Sequence, residues 1–257
     1  MRKKLFTIVT VVYNDVGNIE KTIESVLAQK NKNYEYILID GKSTDGTLDI
    51  LDKYKKNFDV YISEKDNGIY DAMNKATKVS NGEYIIFLNS GDLLNSSSVL
   101  NEIENEIIKN QSPDTLLFKV ANYDGEVIGK YKHLNIVNYE TYGCHQGYVI
   151  KTELQKRFLF DTNYKIKADR QLLLNIFQND YRIITINKYI VKYLDGGVSS
   201  KDIINKEKEN IKISIYNNVK LRYIMLVLCI SSLKMVLFKL SELLGVNWES
   251  LKKTTIR

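Results

Sequence analysis

The chain has 257 residues, of which 44% are hydrophobic and 26% charged, and a formal net charge of +6. This is the composition of an ordinary globular protein, and it excludes a disordered, a collagen-like and a uniformly basic nucleic-acid-coating chain. The positive surplus lies in residues 201–257, which hold eleven basic and five acidic side chains, whereas residues 1–200 are balanced. The length permits one α/β domain with an appendage.

Cys144 and Cys229 lie far apart and show no metal-ligand spacing, so we predict neither a disulfide framework nor a zinc site, and a reducing compartment. The apolar run Leu5–Val12 is short, rich in β-branched residues and without a small-residue cleavage site. We interpret it as a buried strand and not as a signal peptide. The longest apolar run in the tail, Ile224–Ile230, is shorter than the roughly 18–20 residues of a spanning helix, so we predict a protein that is not integral to a membrane.

The first hundred residues alternate β-rich runs with helical patterns, which is typical of parallel strands joined by crossover helices. We therefore predict an α/β fold with an open, mostly parallel sheet and helices on both faces. In chain order the predicted elements are the strand Leu5–Tyr13, the helix Ile19–Gln29, the strand Tyr34–Asp40, the helix Thr47–Tyr54, the strand Asp59–Ser63, the helix Ile69–Lys78 and the strand Tyr84–Leu88.

Polar segments follow all four of these strands, namely Tyr13–Asp15, Asp40–Gly46, Glu64–Gly68 and Asn89–Asp92. Any one of them is explained as a solvated turn, because Asp and Asn favour turns. Together they lie where open α/β sheets bind ligands, and they suit a base and ribose plus a diphosphate bridged by Mg²⁺ or Mn²⁺. Neither GxGxxG nor GxxxxGK[ST] occurs, which disfavours a Rossmann dehydrogenase and a P-loop NTPase.

From about residue 113 the pattern is less regular and indicates mixed strands, two of them separated by a turn at Tyr123–Glu126. A helix is predicted over Asp169–Gln178 and a charged helix over Lys201–Lys220. Beyond them, Leu221–Leu244 is apolar but interrupted by polar residues.

Four ordered blocks, Thr7–Asn14, Tyr36–Thr47, Glu64–Lys75 and Gly82–Asp92, resemble family 2 glycosyltransferases, most closely bacterial enzymes that build capsule, O-antigen and exopolysaccharide. The resemblance covers about residues 5–200. It implies a GT-A fold, a nucleotide-diphospho-sugar donor, a divalent metal (Mn²⁺ or Mg²⁺) and inverting transfer to an acceptor hydroxyl.

The resemblance ends near residue 200, where the basic surplus begins, and we therefore predict a division of the chain there. Residues 1–200 form the catalytic domain, with 1–110 as the nucleotide-sugar-binding half and 111–200 as the acceptor-binding half. Residues 201–257 form a helical, basic, amphipathic tail.

Carried over by position, nine side chains bind the donor or order its loops. Those implied to contact the nucleotide or line its pocket are Thr10, Tyr13, Asn14, Asp40 at the base, Lys65, Asp66 and Asn74; those implied to order the base loop are Ser43 and Asp45.

The metal-binding DxD motif of the family falls on Asn89, Ser90, Gly91 and Asp92. Asn89 replaces the leading aspartate and Gly91 the middle one, so Asp92 is the one anionic metal ligand left in the motif. Asn89 and Ser90 are then assigned to donor binding, with the Asn89 amide suited to hydrogen-bond a ribose. The resemblance therefore does not imply a strict dependence on metal.

Inverting transfer needs a general base that removes the acceptor proton. Asp169, at the start of a predicted helix, matches the position at which the family carries this carboxylate, although Ala168 stands where its usual acidic neighbour would be. The alternative is a first-turn aspartate that stabilises the helix by about 0.5–2 kcal/mol.

His145 and Gln146, after Gly143 and Cys144, resemble a family block near the acceptor or the diphosphate; a purely structural histidine is the alternative. His133 has no motif around it, and we interpret it as a surface residue. Gly197, within Gly196–Ser199, resembles a mobile loop that closes over the diphosphate, and an ordinary turn is the alternative.

On a helical wheel the apolar run of the tail has two faces. The polar face contains Lys220, Ser231, Lys234, Lys239, Ser241 and Glu242, and the apolar face contains Leu226, Leu233, Val236, Leu237, Leu240 and Leu244. Trp248, Lys252, Lys253 and Arg257 follow. An amphipathic basic helix with a nearby Trp suits an anionic membrane surface, and the alternative is packing on the catalytic domain or on a second copy in a homodimer.

The sequence thus predicts an inverting glycosyltransferase of bacterial surface polysaccharide biosynthesis, peripheral at the cytoplasmic face of the membrane. The resemblance implies a glycan or polyprenyl-diphosphate-linked saccharide as its acceptor. Two alternatives stay open: a sugar nucleotidyltransferase, whose usual Gly-rich basic N-terminal signature is missing, and a catalytically weak donor-binding scaffold, which Asn89 and Gly91 favour.

Overall fold

The computed structural model describes residues 3–128, 144–194, 202–217 and 221–243. Among these, the residues up to Leu194 form one compact unit, the first unit, and those from Asp202 onward form another, the second unit. The predictions for His133, Gly197, Trp248 and the basic residues after Trp248 lie outside the described residues.

A single mixed sheet organises the first unit. Its strands, in chain order, are β1 (Phe6–Val12), β2 (Tyr34–Asp40), β3 (Val60–Ser63), β4 (Tyr84–Phe87), β5 (Leu93–Leu94), β6 (Thr115–Asn122), β7 (Val127–Ile128), β8 (Tyr148–Lys151) and β9 (Ile183–Tyr193). Their spatial order is β3-β2-β1-β4-β8-β6-β9-β5, with β7 paired to β6.

The helices of the first unit are α1 (Ile19–Leu27), α2 (Thr47–Tyr54), α3 (Ile69–Val79), α4 (Val99–Lys109), α5 (Thr152–Arg157) and α6 (Ala168–Gln178). The seven elements predicted in the first hundred residues are each present, with ends within two residues of those predicted. The sequence analysis did not predict α4 and α5.

Strand direction explains how distant residues reach one edge of the sheet. β1 pairs in parallel with both β2 and β4, so the carboxyl ends of these strands share an edge. β8 runs antiparallel to β4, which brings its amino end, and the short 3-10 turn His145–Gly147 before it, to that same edge. The predicted α/β fold is therefore confirmed, with parallel pairing in the first half and antiparallel pairs joining the second.

The central strands of the sheet are buried on both of their faces. All seven residues of β1 are buried, as are the four of β4, so neither strand shows an alternation of inside and outside. Helices α1 and α4 close one side of this core through Ile19, Ile23, Val99 and Ile103. These two strands are therefore enclosed within the first unit.

The second unit is a pair of helices, α7 (Ile203–Tyr216) and α8 (Leu221–Leu243). Asp202 caps α7, since its carboxylate accepts a hydrogen bond from the Asn205 amide at 3.1 Å. The Ser231 hydroxyl of α8 donates to the buried carboxylate of Glu207 in α7 at 2.5 Å. Among the described residues, no helix combines the length and the apolar character needed to cross a membrane.

The two predicted faces of the apolar helix differ in their burial in α8. Ser231 and Ser241, from the predicted polar face, are buried. Leu233, Val236 and Leu240, from the predicted apolar face, are 59%, 55% and 45% exposed. The helix therefore exposes an apolar stripe.

Candidate active site

The loops after β1 and β2 are cross-linked by hydrogen bonds. Asn14 adopts a left-handed backbone (φ 49°), its amide donates to Ser43 Oγ at 2.8 Å, and its side-chain oxygen accepts from the Thr44 amide at 2.7 Å. Asp45 accepts from the Val16 amide at 3.1 Å. These three hydrogen bonds fix the shape of both loops before any ligand arrives.

Asp40 orders the loop that follows β2. Its carboxylate accepts hydrogen bonds from the hydroxyls of Ser43 (2.5 Å) and Ser63 (2.6 Å) and from the Lys42 amide (3.1 Å), and the residue is fully buried. Asp40 is therefore used to order the loop, and its contact with a base stays a prediction.

Two further residues predicted to contact the donor, Thr10 and Asn74, make internal contacts in the structure. Thr10 is fully buried inside β1, with its hydroxyl 3.0 Å from that of Tyr36, whose pKa is raised by burial. Asn74 uses both ends of its amide on the main chain of Phe160, donating to the carbonyl at 2.8 Å and accepting from the amide at 2.9 Å. Both residues act as internal supports of the sheet and of α3.

An exposed surface lies beside these supports and contains three of the predicted donor residues. Tyr13 is 63% exposed, and Lys65 is exposed as well. A Cβ added to Gly41 would lie 2.6 Å from Asp66 Oδ2 and 3.1 Å from the Tyr13 ring, so a larger residue would displace the Asp66 carboxylate. Asp66 also accepts from the Gly68 amide at 2.9 Å, just before α3. A flat ligand therefore finds an aromatic ring and a carboxylate side by side.

The segment Asn89–Asp92 makes a tight turn after β4. Gly91 has a left-handed backbone (φ 90°), which an L side chain adopts only with strain. Ser90 points to the β1 loop and donates to Asp15 at 2.6 Å, whereas Asn89 and Asp92 are both buried. The turn thus buries Asn89 and Asp92 at its two ends and directs Ser90 towards the loop after β1.

Asp92 is a buried carboxylate that has few compensating partners. Gln146 donates to its Oδ2 at 2.9 Å, and the Leu194 amide lies 3.4 Å from its Oδ1. Burial raises the pKa of Asp92 to about 6, and the Gln146 hydrogen bond and the nearby His145 offset this only in part.

Asp169 lies in the first turn of α6 and faces His145. Its Oδ2 is 3.7 Å from His145 Nδ1, which is an ion-pair distance and longer than a hydrogen bond. The other ring nitrogen, Nε2, is 2.7 Å from the Asn89 amide nitrogen. Burial raises the pKa of Asp169, but the nearby His145 and the charge of Lys167 outweigh it, and the pKa lies below its ordinary value.

Among the described residues, no group of three or more His, Cys, Asp or Glu side chains is arranged to hold a metal ion. Asp92 alone fits a divalent cation. Its carboxylate is buried and short of positive charge, and hard cations often take one or two carboxylates with phosphate and water as the other ligands. The donor set therefore fits a metal only together with the diphosphate of a ligand.

Tyr123 and Asp15 belong to the same neighbourhood, and the sequence analysis did not assign Tyr123 to it. The Tyr123 hydroxyl donates to the Gly91 carbonyl at 2.8 Å, and its ring is 44% exposed. The sequence signal was the predicted turn Tyr123–Glu126, which contains this tyrosine and follows the strand β6, but that turn does not reveal the contact with Gly91.

Taken together, polar loops and two buried acidic side chains, Asp92 and Asp169, form one candidate ligand site at the edge of a mixed α/β sheet. The family model described as "Glycosyl transferase family 2" matches residues 7–163. The chain belongs to this family, and the family predicted from the sequence is confirmed.

Curated relatives resemble parts of the chain. The teichuronic acid biosynthesis glycosyltransferase TuaG of Bacillus subtilis is 32% identical over 134 residues, which cover 51% of this chain and 53% of TuaG. WfaP of Escherichia coli, described as a UDP-Glc:alpha-D-GlcNAc-diphosphoundecaprenol beta-1,3-glucosyltransferase, is 35% identical over 123 residues, or 47% of this chain and 46% of WfaP. The chain thus spans about half the length of each.

Solved structures share the fold. S. aureus TarS 1–349 in complex with UDP-GlcNAc superposes with a TM-score of 0.69 at 21% identity, over 84% of this chain and 66% of TarS. The mannosyltransferase PcManGT of Pyrobaculum calidifontis, in complex with GDP-Man and Mn²⁺, gives 0.62 at 16% identity, over 100% and 84%. The predicted GT-A fold is therefore confirmed.

Proposed function

We propose that this chain is an inverting glycosyltransferase that moves a sugar from a nucleoside-diphosphate donor to a hydroxyl of a glycan or lipid-linked saccharide. The observation that carries the proposal is the meeting of Asp92 and Asp169 with His145 at the carboxyl edge of the sheet. The names of TuaG and WfaP support a bacterial surface glycan as the product and a diphosphate-linked lipid as one class of acceptor.

Asp169 is the general base of this proposal. Its lowered pKa keeps the carboxylate ionised at neutral pH, ready to accept a proton. The acceptor oxygen attacks C1 of the sugar and gives its proton to Asp169, while the bond from C1 to the diphosphate breaks and its electrons leave with the nucleoside diphosphate. Attack opposite to the leaving group inverts the configuration at C1.

The exposed surface of Tyr13, Gly41 and Asp66 is the proposed seat of the base and ribose. Support comes from the exposure of the ring and from the absence of space for a side chain at Gly41. Lys65, next to it and exposed, is assigned to the negative charge of the donor.

Asp92 is the proposed ligand of a divalent cation such as Mn²⁺ or Mg²⁺. When bound, the cation supplies positive charge that stabilises the leaving diphosphate. The buried carboxylate of Asp92 holds that charge at the sheet edge, and Gln146 orients the carboxylate.

Replacing the proposed base tests the activity. We expect Asp169→Asn to lower kcat by about 10²–10⁴-fold, since this is the usual contribution of a general base, and to leave the dissociation constant of the donor nearly unchanged. The matched control is Asp49→Asn, an exposed aspartate in the first turn of α2, which should keep wild-type kcat.

Donors are screened as UDP- and GDP-sugars with Mn²⁺, by thermal shift first and by transfer or donor hydrolysis second, because a ligand that binds the native state raises Tm. Wild-type turnover in Asp169→Asn would refute the assignment of the base. A wild-type protein that binds a donor without any turnover would favour the scaffold alternative.

We also infer that α8 holds the enzyme at an anionic membrane surface, as a peripheral protein. Met225, Leu233, Val236, Leu240 and Leu243 are between 45% and 82% exposed and recur at helical spacing. Burying such a side chain contributes about 1.5–3 kcal/mol, and the basic surplus of residues 201–257 adds attraction to anionic lipid.

Flotation with phosphatidylglycerol vesicles tests this placement. The double variant Leu233→Glu, Val236→Glu should lose binding, whereas Ser232→Glu, also at an exposed position of α8, should keep most of it. Unchanged flotation of the double variant would refute the proposal. A loss of dimers in sedimentation without any loss of flotation would instead favour the homodimer.

A further inference from the structure

His145 is held rigidly between two polar groups inside the first unit. Its Nε2 is 2.7 Å from Asn89 Nδ2, and its Nδ1 is 3.7 Å from Asp169 Oδ2. All three residues are at least nine-tenths buried. The ring also meets Tyr70 edge-to-face, with centroids 6.4 Å apart and an interplanar angle of 79°.

Tyr70 ties the ring to the helix that carries the base. Its hydroxyl donates to the carbonyl of Ile166 at 2.9 Å, two residues before α6 begins. The imidazole and the start of α6 are therefore fixed by the same side chain, and the distance from His145 to Asp169 is set by the fold.

The position of the ring proton follows from the orientation of the Asn89 amide. Since Nδ2 has only protons to offer, Nε2 must present its lone pair to it, and a neutral imidazole then carries its proton on Nδ1. Nδ1 is buried and makes no hydrogen bond with any of the described residues, and it faces the Asp169 carboxylate. Catalytic hydrogen bonds are often long without substrate and shorten in the complex.

The opposite amide orientation gives a poorer arrangement. Asn89 Oδ1 would then require a proton on Nε2, and a neutral ring would turn a lone pair on Nδ1 towards the carboxylate. An aspartate at position 89 would have the same effect on Nε2 and would favour the imidazolium, whose charge would weaken Asp169 as a base. An asparagine at this position is therefore compatible with a neutral ring whose N–H points to the base.

We propose that His145 is a positioning residue for Asp169, donating from Nδ1 to the carboxylate, and that Asn89 fixes the ring in the required tautomer. This inference rests on the proposed function, because it needs Asp169 to be the general base. It gives Asn89 a role that the missing first aspartate of the DxD motif leaves open.

A pair of variants at position 145 separates positioning from packing. His145→Asn keeps an amide N–H near the place of Nδ1, whereas His145→Gln moves its amide towards the place of Nε2. A hydrogen bond to a charged group contributes about 1.5–3 kcal/mol, so we expect His145→Gln to lower kcat by about 10- to 100-fold and His145→Asn by less than about fivefold. KM for both substrates should change less than about twofold in either variant. Equal losses in the two variants, or wild-type kcat in His145→Gln, would overturn the proposal.

The tautomer is measured without any turnover. The chain has only two histidines, so ¹⁵N-histidine labelling gives two sets of ring signals, and His133→Gln identifies those of His145. We expect the neutral ring to carry its proton on Nδ1 in the wild type and on Nε2 in Asn89→Asp. A wild-type ring protonated at Nε2 alone would overturn the inference.

Different results would refute the base role of Asp169 and the positioning role of His145. Turnover in Asp169→Asn would remove the proposed base and the positioning role together. An inactive Asp169→Asn combined with wild-type kcat in His145→Gln would remove the positioning role alone.

Discussion

Asp92 offers a test in which a functional group is predicted to lower the stability of the fold. Its carboxyl has a pKa of about 6 in the folded chain, against an ordinary value of 3.8. The difference is about two units, and at about 1.4 kcal/mol per unit the ionised carboxylate costs about 3 kcal/mol of folding free energy. Asp92→Asn removes that charge.

The pH dependence of this effect has a defined sign. Between pH 4 and 6 the folded protein retains a proton that the unfolded chain has lost, so wild-type stability falls as the pH rises through this window and is then constant. The amide variant has no such titration. Its advantage in free energy of unfolding should be close to zero at pH 4 and about 3 kcal/mol at pH 8. Gln146 can accept from the new amide, because its Oε1 is buried and makes no hydrogen bond with the described residues.

The assay is urea unfolding at the two pH values, in EDTA so that no cation compensates the charge. Asp114→Asn is the control with the opposite sign. Burial raises the pKa of Asp114, but the Arg182 amide at 2.9 Å and Lys151 at 3.0 Å outweigh it and lower the pKa, so neutralising it should destabilise the protein at pH 8. An Asp92→Asn variant that is less stable than wild type at pH 8, or equally affected at both pH values, would refute the reasoning. Mn²⁺ with a nucleoside diphosphate should raise Tm of the wild type more than that of the variant.

Three further substitutions test local contacts, two of them in the first unit and one in the second. Asn74→Ala removes two hydrogen bonds to Phe160 and should lower the free energy of unfolding by about 1–3 kcal/mol with little change in donor affinity, measured by calorimetry. Gly147→Ala places a Cβ 2.3 Å from the Phe118 carbonyl, and should cost about 1–3 kcal/mol in urea unfolding and reduce kcat as well. Asp202→Ala removes a helix cap and should cost about 0.5–2 kcal/mol without altering kcat, and a larger kinetic effect would contradict its assignment to the second unit alone.

The fold could be predicted where local pattern and long-range structure agree. The first strands and helices follow the alternation of β-rich and helical runs, and their ends lie within two residues of the prediction. Helix α4 was not predicted, although its buried residues Val99, Ile103 and Ile107 recur at helical spacing. β9, an eleven-residue strand, pairs in parallel with β6 and antiparallel with β5, and such pairing depends on contacts that no local pattern records.

The roles of site residues could be predicted less well than their neighbourhood. Thr10 and Asp40 were assigned by motif position, but the strand buries both of them completely, and a motif does not report which polar groups the protein uses on itself. Asn74 likewise binds the main chain of Phe160 with both ends of its amide, and its place in the donor pocket stays a prediction. Asp92, His145 and Asp169 do meet, although 77 residues separate the first from the last, and the base and metal roles given to them remain predictions.

Helix α3 connects the loop proposed to bind the donor with the segment that leads to the proposed base, Asp169. It begins directly after the loop of Lys65 and Asp66, and its Tyr70 and Asn74 bind the main chain at Ile166 and Phe160, ahead of the helix that carries Asp169. Related enzymes that use another sugar or acceptor can therefore differ in the exposed loop residues. Tyr70 and Asn74 are more constrained, because they set the distance between the donor loop and the segment before α6. If both residues are kept in enzymes with different products, they indicate a shared structural support and not the identity of the sugar that each enzyme transfers.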